Sequence, residues 1–202
     1  MLELKNISLK FQKTTVIDSL SYNFEKGKVY AITGESGVGK TSLLNMMAGL
    51  LNPSDGAIKN NGEKISFVFQ EPRLFEWMTA LENVSTVSDS QTAKKLLTLM
   101  ELEDVLEKYP SELSGGMKQR VSIARALAYD SETVFLDEPF KGLDPELREK
   151  VSDAVFSVLN GKTVIMVTHD NSDTKYAHHI LKLTSPPKTN LELVKSNIPF
   201  SE

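Results

Sequence analysis

The segment GESGVGKT, residues 34–41, restricts this chain more than any other stretch. It fits G-x-x-x-x-G-K-[ST] throughout, directly after the apolar run KVYAIT and at the start of a helix-periodic stretch. Strand, glycine-rich turn and helix in that order make the opening of an α/β unit built on a parallel sheet. Gly34, Gly37 and Gly39 allow backbone angles and close approach that a Cβ forbids. Gly34, Glu35, Ser36, Gly37, Val38 and Gly39 therefore read as a cradle for a phosphate chain. Lys40 is placed to reach β and γ phosphates, the Thr41 hydroxyl to coordinate Mg²⁺, and Ser42 to bond an α phosphate. A turn with no ligand is the plainer reading, and the flanking strand and helix weigh against it.

A second anion-binding helix start follows far downstream. In LSGGMKQR, residues 113–120, Ser114-Gly115-Gly116 sit where a long amphipathic helix should begin. Small residues there leave backbone N–H groups bare, and the helix dipole adds positive charge. Ser114 is an ordinary N-cap residue, but glycine in a first helical turn weakens the helix, so capping alone does not explain the pair.

The chain has 202 residues, enough for one good core with a small subdomain. With 23 Lys and Arg against 27 Asp and Glu, its net charge is −4, and no basic footprint for nucleic acid exists. No cysteine is present, which excludes disulfides, thiol chemistry and cysteine-ligated zinc. MLELKNISLK lacks the apolar core of a signal peptide, and no apolar run approaches the ~20 residues that span a bilayer. The chain is not expected to cross a membrane itself.

Residues 2–33 read as strands, and a helix is expected from about Gly39 to Leu50, stopped by NPSDG. Asn61-Gly62 suggests a hairpin before the strand ISFVF at 65–69. Helical periods occupy Ala80–Val87, Ala93–Met100 and Val105–Tyr109; from residue 115 helix and strand alternate three times. The tail SPPKTNLELVKSNIPFSE reads as two extended pieces or as partly disordered.

TVFLDEP, residues 133–139, is an apolar strand with two carboxylates at its end. Neighbours on a strand point to opposite faces, so the two acids need not share one job. Asp137 suits a metal beside Thr41, and Glu138 suits a base for water attacking a γ phosphate. Taken alone, D-E-P is equally a turn. TVIMVTHD brings His169 to a strand end, where a histidine is more often structural but here can face a γ phosphate. Gln70 ends another strand, and its amide suits Mg²⁺, the attacking water, or a simple cap.

With these segments in order, the chain resembles the ATP-binding subunit of an ABC transporter over residues 1 to about 183. GESGVGKTS, Gln70, LSGGMKQR, VFLDEP, GLD at 142–144 and His169 carry the resemblance. FQEPRLFEWMTALENV and YPSELSGGMKQRVSIARALA look closest to nitrate, sulfonate and taurine importers. The resemblance implies a single α/β domain over 1–202: a P-loop NTPase core with a mostly parallel sheet, an N-terminal antiparallel β layer, a short helical subdomain at about 71–128 and a tail at 184–202.

It also implies ATP and Mg²⁺ as ligands, with Glu138, His169 and Gln70 catalytic and Thr41, Gln70 and Asp137 at the metal. Ser114, Gly115, Gly116 and Gln119 would complete the site of an opposite, head-to-tail subunit, with Asp144 at the dimer interface. Asp144 before Pro145 is also a good N-cap in its own right. The other implied partners are a membrane permease and a substrate-binding protein, with the chain cytoplasmic and peripheral on the inner membrane face. Phe11 stands where an adenine-stacking tyrosine is more common, and Lys141-Gly142 replace two small residues. Among function classes, an ABC ATPase regulating a cell-envelope complex is the alternative to transport. A P-loop small-molecule kinase would leave LSGGMKQR without a use.

Overall fold

The structure, a computed structural model, describes residues 2–12, 14–60, 62–187 and 189–196. It begins with β1 (Leu2–Phe11), β2 (Thr14–Phe24), β3 (Val29–Thr33) and α1 (Lys40–Met47). Next come β4 (Asp55–Asn60), β5 (Ile65–Val68), α2 (Ala80–Ser85), α3 (Ser90–Leu99) and α4 (Gly115–Ala128). β6 (Thr133–Asp137), α5 (Pro145–Val158), β7 (Thr163–Val167), β8 (His179–Leu183) and β9 (Leu191–Ser196) follow.

Apolar runs with no polar alternation want cover on both faces, and β3, β6 and β7 receive it. They lie inside a six-stranded sheet of order β5-β6-β7-β3-β8-β9, parallel except for β9. Val134, Leu136, Val164 and Met166 point into a core shared with α2, α3, α4 and α5. Phe135, Ile165, Tyr30 and Ile32 point the other way, onto α1 and the three-stranded antiparallel sheet β2-β1-β4. The helical segment thus shares one continuous core with a sheet face.

Parallel strands deliver their carboxyl ends to one edge. Here that edge collects Gln70 after β5, Asp137 and Glu138 at β6, His169 after β7, and the glycine-rich loop after β3. A crevice outside such an edge is where ligands of open α/β sheets bind.

Four expectations change, the first being the helical period at Val105–Tyr109, where only a 3-10 turn at Glu103–Val105 forms before non-helical chain. No hairpin forms at Asn61-Gly62: β4 joins β1 in one sheet and β5 joins β6 in the other, and Asn61 itself lies outside the described residues. The helix after the loop stops earlier than NPSDG. Gly49 turns left-handed at φ 71°, and Leu50 N–H donates to the Asn45 carbonyl at 2.8 Å. The last expected helix is only a 3-10 turn, Asn171–Tyr176. Of the tail, Leu191–Ser196 is an antiparallel strand on β8, and residues 197–202 lie outside the described ones.

Candidate active site

The glycine-rich loop forms the floor of a cavity of about 670 Å³. Ser36, Gly37, Gly39, Lys40, Thr41 and Ser42 line it from this side. Gly39 takes φ 104° as the N-cap of α1, and a Cβ there would meet Val16 Cγ1 at 2.8 Å. Val16 of β2 is a cavity wall that the sequence reading did not name. Lys40 Nζ curls over its own loop, donating to the carbonyls of Gly34 at 2.9 Å and Glu35 at 2.7 Å. Burial lowers its pKa. Val38 is buried against the turn, so its side chain is structural.

Opposite the loop stand Gln70, Glu138, Lys141 and His169. Contrary to expectation, strand pleat is not what distinguishes Asp137 from Glu138. Asp137 ends β6 almost fully buried, whereas Glu138 takes the left-handed region at φ 46°. Its N–H donates to the Val167 carbonyl at 2.9 Å, which ties that turn to β7. A non-glycine residue held there is locally strained, as functional residues often are. His169 Nε2 lies 3.2 Å from Glu138 Oε1, and Gln70 Nε2 donates to Oε2 at 3.4 Å. All three candidate catalytic residues therefore meet at one carboxylate.

Asp137 is suited to a cation. Its Oδ1 is buried with no hydrogen-bond partner, and burial raises its pKa while the Thr41 hydroxyl bonds the same carboxyl. An orphaned carboxylate oxygen beside a hydroxyl is a hard oxygen donor set. Among the described residues no cluster of three acidic or histidine ligands forms.

Ser114 lies elsewhere. It caps α4, its Oγ accepting from Met117 N–H at 3.2 Å, and both it and Gly115 are exposed. A Cβ on Gly115 would meet open space, so nothing within this chain requires glycine there. Gln119 corrects the sequence reading. It is 4% exposed and turned inward, its Nε2 donating to the Phe69 carbonyl at 3.1 Å just before Gln70. One turn of helix carries it off the open end of α4 that Ser114 starts. Asp144 caps α5, accepting from Leu147 N–H at 3.0 Å. Phe11 is 51% exposed at the tip of the β1–β2 hairpin and is not a wall of the cavity.

Residues 17–141 match the family described as ABC transporter. The chain belongs to the ABC transporter family. This cassette is 36% identical to the bicarbonate transport ATP-binding protein CmpD of Synechocystis sp., over 93% of its own length and 73% of that protein. It is 38% identical to the aliphatic sulfonates import ATP-binding protein SsuB of Bacillus licheniformis, over 93% and 80%. The taurine import ATP-binding protein TauB of Jannaschia sp. is 39% identical, over 83% and 71%. The fold superposes on the ATP-binding cassette MJ0796, solved as a dimer in a post-hydrolysis state with ADP and Pi. The TM-score is 0.86 at 30% identity, over 98% of this chain and 100% of that one. The ABC cassette described here is accordingly an ATPase.

Proposed function

We propose that this cassette is the ATP-hydrolysing subunit of an importer, dimerising head-to-tail on ATP and driving a membrane permease. The observation that carries the reading is the meeting of His169 and Gln70 on Glu138, across one cavity from the Lys40 loop. Lys40 and the loop N–H groups bind and orient the phosphate chain. Glu138 accepts the proton of the attacking water, and Gln70 and His169 hold that carboxylate and the water in line. Thr41, Asp137 and Gln70 would hold Mg²⁺, which neutralises charge on the phosphate oxygens when bound.

Ser114, Gly115 and Gly116 close the site of the opposite subunit, since Ser114 and Gly115 stand exposed, Gly116 is half-buried beside them, and none of the three lines this chain's own cavity. Asp144 and Phe11, both exposed, serve that interface and the adenine respectively. The importer assignment rests on relatives whose names state transport of bicarbonate, sulfonates and taurine. On this reading the subunit sits on the inner membrane face, held by the permease, with a substrate-binding protein supplying cargo. No described helix is long and apolar enough to cross a membrane.

Glu138→Gln tests the reading directly. It should cut turnover by a hundredfold or more, a few kcal/mol of barrier, and retain ATP. The variant should then elute as an ATP-dependent dimer in gel filtration. Wild-type turnover in the folded variant would remove Glu138 from the mechanism.

A further inference from the structure

Among the described residues Lys141 is the one lysine or arginine besides Lys40 on the walls of the ATP cavity, and the mechanism above leaves it without a task. Its N–H donates to the Glu138 carbonyl at 3.2 Å, closing a tight turn that folds its side chain back toward the cavity. Nζ lies 2.8 Å from Glu138 Oε2, the oxygen that Gln70 also reaches. The same carboxylate has His169 on its other oxygen, so both oxygens of the base are engaged.

Two features make this pair exchangeable. The Lys141 side chain is 62% exposed, and exposed ion pairs contribute little. An ammonium also has three donors, and a single carboxylate oxygen takes one. Lys40 differs in both respects: it is buried, and two carbonyls of its own loop hold it. Next to Lys141, Gly142 stands at φ 79° with open space around its Cβ position, so nothing packs against the turn there.

We propose that Lys141 is a second cation for the terminal phosphate of the bound nucleotide. A γ phosphate at the Lys40 loop offers the ammonium a more highly charged acceptor than Glu138 alone. Transfer of Nζ to that phosphate frees Oε2 for the attacking water, so one movement binds the triphosphate and releases the base. ADP has no γ oxygens to draw the ammonium across. Lys141 thereby separates ATP from ADP. The inference rests on the ATPase reading and deepens it.

The test is equilibrium binding by calorimetry, with ATP and with ADP, in EDTA so that no turnover occurs. Lys141→Met keeps the length and removes the charge; Lys141→Arg keeps the charge. Lys141→Met should weaken ATP about fivefold, roughly 1 kcal/mol, with ADP changed less than about twofold. Lys141→Arg should restore most of the difference. Equal weakening of both nucleotides, or an unchanged or improved ATP affinity, overturns the proposal. Failure of the ATPase reading looks different: wild-type protein would then bind neither nucleotide, whatever stands at position 141.

Discussion

Arg148 and Asp173 meet as a fork on a fork: Nε donates to Oδ1 at 3.0 Å and Nη2 to Oδ2 at 2.7 Å. Arg148 stands on α5, which Asp144 caps, and Asp173 lies in the 3-10 turn that follows His169. Thr168, the residue before His169, donates its hydroxyl to Asp173 Oδ2 at 2.6 Å. The helix that Asp144 starts is therefore bolted to the backbone that carries the histidine. The Asp173 side chain is 3% exposed, so Arg148→Ala leaves a buried carboxylate without its cation. A loss of about 3 kcal/mol is expected in denaturant unfolding, and Arg148→Lys should recover only part of it. An Arg148→Ala, Asp173→Ala double variant should lose clearly less than the two single losses added.

The answer to two anion-binding helix starts in one chain can be read from a mixed dimer. Subunits carrying Lys40→Ala and subunits carrying Ser114→Arg are combined and isolated with two tags. If Ser114 serves its partner's nucleotide, both lesions share one composite site and the other site is whole. Trapping with a mimic of the transferring γ phosphate should then reach about half the wild-type level, and almost none in either parent. A folded, ATP-assembled mixed dimer that traps nothing would contradict the shared site.

Trp77 is 72% exposed and packs against Phe75 with ring centroids 5.4 Å apart. Buried Asn83 braces that loop, accepting from Phe75 N–H at 2.8 Å and donating to the carbonyls of Phe75 and Met78 at 3.1 Å each. The loop is thus braced without Trp77, whose exposed ring is the surface we expect to meet a permease helix. Trp77→Ala should lower permease-stimulated turnover while moving the melting temperature by about 2 °C or less. A sharp fall in melting temperature would mean the ring contributes to the core.

Glu63 makes acid sensitivity measurable. Burial pushes its carboxyl up, but Lys26 at 2.7 Å and the Thr133 hydroxyl at 2.9 Å help outweigh that, and its pKa falls to about 2. A depressed carboxyl stabilises the fold above its ordinary value of 4.5 and loses that contribution as pH falls toward about 2. Glu63→Gln should melt below wild type at neutral pH, and the gap should close across that interval. A gap constant with pH would mean that shape, not charge, matters at this position.

What could be read from the sequence was local. The caps at Ser114 and Asp144 are set by contacts within a few residues, and each forms where expected, whereas the loop from Gly34 to Ser42 also leans on Val16 and Leu183. Misreadings arose where distant pairing decides. Asn61-Gly62 carries turn chemistry, but nothing near it reveals that β4 and β5 belong to different sheets. Gln119 looks like part of the LSGG group, yet the helical period turns it into the molecule to hold Phe69. The strand pleat suggested divergent acids, whereas the left-handed Glu138 overrides the pleat. A side chain at φ 46° leaves no mark in composition or period.

That backbone angle sets chemistry and folding against each other. Any side chain at residue 138 bears about 1 kcal/mol of local conformational cost that glycine does not. On the mechanism proposed above, Glu138→Gly is therefore ruinous for hydrolysis while relieving the backbone of that cost. A population of this gene selected for heat resistance alone, with transport irrelevant, should shed its base early. The glutamate persists at that position only while the cell needs the work.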